Sequence, residues 1–478
     1  MPDGTEPSDR LDQAPEDVHR HGFAEPRGQE LANLPRSRGG RFGRMFPLLP
    51  SCDLSEEATE RLADAMIQIA GTSNDNTSVV AGYTYLGQFI DHDITFDATS
   101  TLERENDPFA LVDFRTPRFD LDSLYGSGPE DQPFLYDWPS SGSARATAGV
   151  KLLVGTHPSG GRLASADLPR NRQGRALIGD PRNDENLIVA QLHLLFIRFH
   201  NKVVDRLVDG GRLRRQELFN DARRIVRWHY QWIVVRDFLP RILGADVGPL
   251  VRRPFVWCDE PFMPVEFSAA AFRFGHSMVR EDYRINGGPN VPLFRRAGAR
   301  ANLGGSRPLP AALQIEWDHF FKTTRTFAQR SKRVDPSLAD ALTHVPPTGA
   351  ALARLNLRRG RRLGLPAGTD VAAALGEAPL GDDELLEPLD GNIDDAERAA
   401  LRHATPLWYY VLREAELRGD GGLHLGPVGG RIVAEVLLGL LEADPSSYLR
   451  QRPDWTPELP RKDARTFSMA DLVEFTLA

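Results

Sequence analysis

Between residues 183 and 238 the chain carries two long runs of apolar residues at helical spacing, and they narrow the folds open to it. Leu187, Ala190, Leu194, Ile197 and Val204 share one face of a helix reaching Leu207, with Asn183 as its N-cap. A second run, 213–238, predicts another helix that stops at Pro240. Stripes of this width need other helices to cover them, and the chain supplies candidates. Leu62, Ala65, Met66 and Ile69 follow Ser55, a fitting N-cap, and end at Gly71. Val80, Tyr83, Gly87 and Ile90 mark a helix within 79–97. Ser268 opens one that holds Phe272, His276 and Val279. Others are expected over 310–327, 397–418 and 429–441, where Gly429 and Gly430 would let a neighbouring backbone approach. Ser468 and Asp471 form a capping box for a last short helix. Strand-like alternation is scarce, there is no internal repeat, and residues 98–178 are rich in Pro, Gly, Asp and Ser. The expected class is mainly α, with long irregular connections and little β structure.

Residues 1–42 lack periodicity and read as a flexible N-terminal arm ahead of one domain, 43–478. The first 25 residues hold no apolar signal core. No apolar run approaches the roughly 18–20 residues of a membrane span. The expected location is therefore cytoplasmic, or exported without a recognisable signal, with no transmembrane segment. A net charge of -8 gives no footing for nucleic-acid binding through phosphates. Cys52 and Cys258 match no metal-ligand spacing, and two reduced thiols are expected rather than one bridge.

Four segments place polar groups where an apolar pattern does not ask for them. Gln88, Asp91 and His92 share one helix face at spacings of three and four. Arg182 stands at a helix N-terminus, where a positive charge is misplaced and needs an anionic or electron-rich partner, with Glu185 one turn later. His276 interrupts an apolar face, with Arg273 three residues before it and Gly275 adjacent. Thr116, Asp120 and Asp122 alternate in an extended loop, a pattern that suits a hard cation such as calcium. Each has an ordinary structural reading: a satisfied core histidine, a helix cap, a metal-free Asp-rich turn. His193, His200 and His229 read as buried structural histidines, and His403 and His424 carry no usable pattern.

Taken together, these segments resemble the animal-type haem peroxidases of the peroxidase–cyclooxygenase superfamily. GQFIDHD is similar to that family's distal-histidine motif, DPRNDEN to its catalytic-arginine motif, and FRFGH to its proximal-histidine motif. TPRFDLDSLYGS is similar to its calcium loop, and LARLNLRRGRRLGLP to the segment that carries the asparagine partner of the proximal histidine. The resemblance runs from about Phe42 to the C-terminus and takes in TPLWYYVLREAELRG and LGPVGGRIVAEVLLGLL. It implies one haem b ligated by His276, with Asn356 as hydrogen-bond partner and Arg273 near a propionate. It implies His92 as the distal acid–base, Arg182 as the stabiliser of departing hydroxide, and Gln88 beside the distal water.

Asp91 and Glu185 match the two carboxylates that form haem esters in some members. Asn186 stands where some members have a sulfonium-forming methionine. A calcium ion would be held by Asp93, Thr116, the Arg118 carbonyl, Asp120 and Asp122, the last in place of a common serine. LRRGRRLGLP departs from the RSRDHG pattern of many relatives. The implied reaction is reduction of hydrogen peroxide at the expense of small organic donors or of bromide, iodide or thiocyanate rather than chloride, with a place in the response to oxidative stress. The competing expectations are a fatty-acid dioxygenase on the same scaffold, although Tyr409 and Tyr410 lie far beyond His276 and the segment of that family's radical tyrosine has no match here, and an inactive binding relative.

Overall fold

The computed structural model describes residues 42–95, 116–139, 147–156, 166–211, 214–245, 261–323, 328–346, 348–463 and 465–478. The arm 1–41, the end of the 79–97 stretch and Cys258 lie outside the described residues. Cys52 is a free thiol whose pKa burial pushes up to about 11.

Helices form where apolar stripes and caps coincide. α1 (Glu56–Gln68) begins at Ser55, whose side chain accepts from the Ala58 N–H. α2 is Gly82–Ile94 and α3 the single turn Asp122–Tyr125. α4 (Leu187–Asp209) starts three residues later than the sequence suggests. Asn186, not Asn183, caps it, accepting from the N–H groups of Ile188 and Val189. The reason is local: the uninterrupted apolar run begins only at Leu187, and Asn183 sits in a 3₁₀ turn, Pro181–Asp184.

α4 is buried on nearly every side from Leu187 to Ile197, and packs against α2 and against α5 (Arg215–Ile233). By length and composition it could cross a bilayer, which the apolar-run count did not anticipate; most of its apolar window is buried inside the protein. α5 does not end at Pro240. A π turn, Val234–Phe238, leads into α6 (Leu239–Leu243), and the helical path closes at Gly244 in the left-handed region. The widened turn relieves the clash a proline makes with the carbonyl four residues back.

The 268 prediction fails in form. α7 (Val265–Ala269) ends at Ala270, whose φ of -133 and ψ of -76 break the helix, and Ala271–His276 follows as a 3₁₀ turn. No long helix runs over 310–327: the described part holds only the 3₁₀ turns Ala311–Leu313 and Trp317–His319. There the backbone groups are taken by side-chain amides. Asn286 donates to the carbonyls of Ala312 and Gln314, and Gln191 bridges Leu313 O and Ile315 N.

Beyond it come α8 (Leu352–Arg362), α9 (Gly368–Leu375) and α10 (Asp382–Leu386). The single helix expected over 397–418 is two, α11 (Asp395–His403) and α12 (Leu407–Arg418). Pro406 excludes a helical conformation from the residue before it and divides them. α13 (Pro427–Ala443) lies on α12 so closely that a Cβ on Gly429 would meet Val411 at 2.7 Å. α14 is Tyr448–Gln451, and α15 (Met469–Leu477) carries the expected capping box and packs on α4.

Among the described residues, strands form only two-stranded ribbons. One of them, residues 330–332 against 75–80, runs into the segment 333–337, which is fastened beside His276. Ser277 Oγ donates to Arg333 O and accepts from Asp335 N–H. The Asp335 carboxylate in turn receives Ser73 Oγ at 2.6 Å and the Ser337 N–H at 2.9 Å. Burial pushes Asp335 up to about 7 against these bonds. A raised carboxyl pKa means that ionisation opposes folding, so this group's stabilisation is present at low pH and lost as pH rises through its folded value. Asp335→Asn should therefore melt above the parent by a margin that widens from about pH 4 to about pH 7 and then levels. Thermal unfolding at stepped pH checks this, and a margin independent of pH counts against it.

Candidate active site

On α2 the partly accessible side is Gly87, Gln88 and Asp91, while Phe89, Ile90, Asp93 and Ile94 are buried. Gln88 and Asp91 share the expected polar face, while His92, expected beside them, is buried. Phe89 anchors the opposite side by stacking on Phe196 of α4 with centroids 4.7 Å apart. Gln88 Nε2 donates to Glu185, and its Oε1 accepts from Asn186 Nδ2 at 3.2 Å, so both ends of the amide are engaged. Thr95 Oγ1 donates to the Asp91 carboxylate at 3.2 Å.

The 3₁₀ turn Pro181–Asp184 lies against the end of α2 and holds His92 twice. Arg182 Nη2 donates to the His92 carbonyl at 3.0 Å, and Asn183 Oδ1 lies 2.8 Å from His92 Nδ1. Arg182 is also paired with Asp180 at 2.7 Å. Its charge therefore has the anionic, electron-rich surroundings its position asks for within the protein itself, together with the carbonyls at the negative end of a helix. The turn is braced from behind. Arg170 makes two bonds to Asp184, at 2.7 and 2.8 Å, and a third to Asp167 at 2.8 Å, all with side chains nearly buried. Those carboxylates hold the Arg170 guanidinium well above its ordinary pKa despite its burial. The backbone of Gly305 donates to Glu185 O, and a Cβ there would stand 2.0 Å from Asp184 O, so only glycine fits.

Facing α2 is the 3₁₀ turn Ala271–His276. Its threefold period stacks Arg273 and His276 on one side, and both reach Asn356 of α8. Arg273 Nη1 donates to Asn356 Oδ1 at 2.8 Å, and Asn356 Nδ2 lies 2.9 Å from His276 Nδ1. The His276–Asn356 contact is the one expected, whereas the bond from Arg273 to Asn356 is not. Asn356 donates to His276 instead of accepting from it, because Arg273 claims the amide oxygen. For the same reason Arg273 is tied to Asn356 here. Burial, and then the Arg273 charge, push His276 down to about 3, so its imidazole is neutral. Arg273 is itself lowered to about 10 by burial and by the charge of Arg359, with Asp91 of α2 opposing the shift.

Arg273, Gly275 and His276 are enclosed by the protein yet keep accessible surface, and a Cβ on Gly275 would touch nothing within 4 Å. A neutral imidazole, two neighbouring guanidiniums and a polar face on the packed α2 are a donor set that fits a haem and its propionates.

Asp93, Asp120 and Asp122 bring candidate ligand oxygens within 4.8 Å of one another. Thr116 Oγ1 donates to Asp120 at 3.0 Å. The loop is not extended as expected: Leu121 takes a φ of 58, and Asp122 opens α3. That turn is what gathers the carboxylates. Burial and then the charges of Asp93, Asp120 and Asp122 push the Tyr230 hydroxyl well above its ordinary pKa, a direct sign of the negative field here. Three crowded carboxylates with a threonine hydroxyl fit a hard cation.

Four residues of the site escaped sequence reasoning. Asn183 was assigned to capping, and Asn186 was noted only for what it replaces; the start of the apolar run at Leu187 was the signal that separates their roles. Arg359 lies one turn beyond Asn356 on α8, a spacing that was open to inspection. Arg170 carried no signal. His200 and His229 are structural as expected, each bonded at both ring nitrogens: His200 to Tyr125 and Val150 O, His229 to Ile225 O and the N–H groups of Glu458 and Leu459.

Two histidines on packed elements of a mainly helical protein, each beside arginine and amide groups, are a donor set that suits a haem-binding class of protein. The chain belongs to the animal haem peroxidase family, whose sequence profile matches residues 103–403. It is 25% identical over 398 residues to thyroid peroxidase of Sus scrofa, covering 75% of this chain and 40% of that protein. It is 32% identical over 223 residues to eosinophil peroxidase of Mus musculus, covering 41% and 29%. The chain thus spans less than half the length of these curated relatives. Its fold is similar to peroxidase A from Dictyostelium discoideum, with TM-score 0.59, 16% identity and coverage of 87% and 88%. It is also similar to fatty acid alpha-dioxygenase of Arabidopsis thaliana, with TM-score 0.57, 15% identity and coverage of 90% and 74%.

Because Arg170 holds two buried carboxylates under the distal turn, Arg170→Ala should lower stability by about 3–5 kcal/mol, the cost of breaking a buried pair. Arg170→Lys should recover little, since an ammonium cannot span both acids. Denaturant unfolding measures this, and a loss below about 1 kcal/mol would count against the brace.

Proposed function

We propose that this chain is a haem-dependent peroxidase that reduces hydrogen peroxide to water at the expense of two one-electron donors or one halide-type donor. The observation that carries the reading is the pairing of a neutral, half-buried His276 with a His92 whose Nδ1 is already engaged. One imidazole is available to ligate and the other to move protons.

Haem bound at His276 would supply the iron on which the peroxide bond is cleaved and the oxidising equivalents that donors then consume. His92 takes a proton from the near oxygen of peroxide and returns it to the far one, which departs as water. Arg182, held by Asp180, keeps positive charge at this end of the pocket while that bond breaks. Gln88, fixed between Glu185 and Asn186, orients the distal water. Ligation through Nε2 requires His276 Nδ1 to donate. Asn356 then presents its oxygen to His276, and Arg273 turns to another acceptor, for which a propionate has the right charge; Arg359 is the second cation for that end. Asp91 and Glu185 are the carboxylates available for haem esters. Asp93, Thr116, Arg118, Asp120 and Asp122 are the proposed calcium ligands. Asn186 in place of methionine favours bromide, iodide or thiocyanate over chloride. We take residues 43–478 as the peroxidase domain.

The similarity to fatty acid alpha-dioxygenases keeps a second reading on the same scaffold. Tyr409 and Tyr410 do not support it, because their hydroxyls bond the backbone at Leu385 and Leu380. Oxygen uptake with a fatty acid and no peroxide would favour it.

The purified protein should show a Soret band that shifts with stoichiometric peroxide. His276→Ala should lose the band. His92→Leu should keep it and slow the reaction with peroxide by about 10²–10⁴-fold, the usual share of a positioned acid–base. Absence of the band, or indifference of the peroxide step to His92→Leu, would sink the reading. Acid–acetone extraction of the same sample reports whether the haem is esterified.

A further inference from the structure

We propose that Asn183, with His193 behind it, is a positioning pair that fixes the tautomer of His92 so that Nε2 carries the lone pair toward the pocket; this rests on the peroxidase reading above. The geometry is a buried line of three side chains. Asn183 Oδ1 lies 2.8 Å from His92 Nδ1, and Asn183 Nδ2 lies 3.0 Å from His193 Nδ1. His92 is 5% exposed, Asn183 0% and His193 1%, so water does not compete for these contacts.

The polarity follows from what each atom can do. An amide oxygen only accepts, so His92 Nδ1 must carry the proton it shares with Asn183. That leaves His92 Nε2 unprotonated in the neutral ring, as a base requires. An amide nitrogen only donates, so His193 Nδ1 must accept. Turning the amide over would reverse both ends at once: Nδ2 would face His92 Nδ1, the proton would move to Nε2, and the base would be lost. The Asn183 amide thus couples the two rings: with Oδ1 toward His92 and Nδ2 toward His193, the tautomers of both imidazoles are set together. His193 is in turn held on α4 with its ring edge-on to Phe89 at 6.1 Å, the same Phe89 that lies three residues before His92 on α2.

The alternative is that Asn183 merely satisfies a buried histidine, as the contacts of His200 and His229 do. Two features set this line apart. Asn183 comes from the turn that also grips the His92 carbonyl through Arg182, so a single turn controls both the main chain and the ring of that residue. Moreover, the far end of the Asn183 amide meets not a backbone carbonyl but a second imidazole, that of His193.

The test combines a structural and a kinetic readout on the haem-loaded protein. Nitrogen-15 histidine NMR of the diamagnetic ferrous carbonyl form reads the tautomer of His92, and stopped flow reads the peroxide step. The parent should show His92 protonated at Nδ1. Asn183→Leu, close in volume, should mix the tautomers and slow the peroxide step about 10- to 100-fold, within the range a positioned acid–base supplies, with haem content unchanged. Asn183→Asp keeps an acceptor at the same place and should restore both the Nδ1–H signal and most of the rate. His193→Phe should mix the tautomers partially while Asn183 remains. If His92→Leu slows the peroxide step but Asn183→Leu leaves tautomer and rate unchanged, this inference fails and the peroxidase reading stands. If His92→Leu has no effect, the peroxidase reading fails first.

Discussion

The grip of the 181–184 turn on His92 is the interaction on which the rest of the pocket depends. A histidine near the end of a helix is poorly fixed by the helix alone, because the last carbonyls lack partners and the ring is free to rotate. Arg182 takes up the His92 and Thr95 carbonyls, while Asn183 takes the ring. Both act only because the turn is itself immobilised, by the Arg170 bonds to Asp184 and Asp167 and by the glycine contact at Gly305. The long helix α4, buried on nearly every side over its first three turns, begins just after this turn, so the geometry around His92 is inherited from that buried start.

The facing wall is built on a different principle. His276, Arg273 and Asn356 hold one another in a short chain whose polarity is set by the strongest donor, the guanidinium. That chain has two arrangements, according to which end of the Asn356 amide meets the imidazole. On the His92 side, the Asn183 amide sits between two imidazoles, so its orientation sets both tautomers together. On the His276 side, Arg273 holds the amide oxygen and feels the like charge of Arg359, which weakens its hold.

What was legible in the sequence follows the same division. Helix existence was read well wherever a stripe and a cap coincided, as for Ser55 with α1 and Ser468 with α15. It failed where tertiary contacts took over the backbone's hydrogen bonds: at 310–327, where Gln191 and Asn286 supply partners, and at 268–276, where the chain breaks at Ala270. Pro406 was a visible break that the longer stripe concealed, whereas Pro240 was a visible break that the π turn cancelled. The histidines and carboxylates could be chosen from their misfit with an apolar pattern, but their supports could not. Asn183, Arg170 and Arg359 fit their local pattern well enough to be passed over, and only their distant partners reveal what they do.

The two sides of α2 show why one helix can serve both walls of such a site. Asp93 is fully buried on the side away from Gln88 and Asp91, next to residues brought by Leu121 into a left-handed turn. That loop is itself anchored: Gln231 of α5 donates to Phe119 O at 3.0 Å and accepts from Tyr448 N–H at 3.1 Å. A cation among Asp93, Asp120 and Asp122 would tie α2 to α5 through this loop at the position adjacent to His92, just as Arg182 ties it to the turn before α4. Without charge compensation, three carboxylates so close repel one another, and the first strain would fall on Asp93 and the end of α2. Catalytic geometry at His92 would then depend on two charge balances, an arginine with its aspartate on one flank and a cation with its carboxylates on the other. Neither group needs to touch substrate for its loss to be felt there.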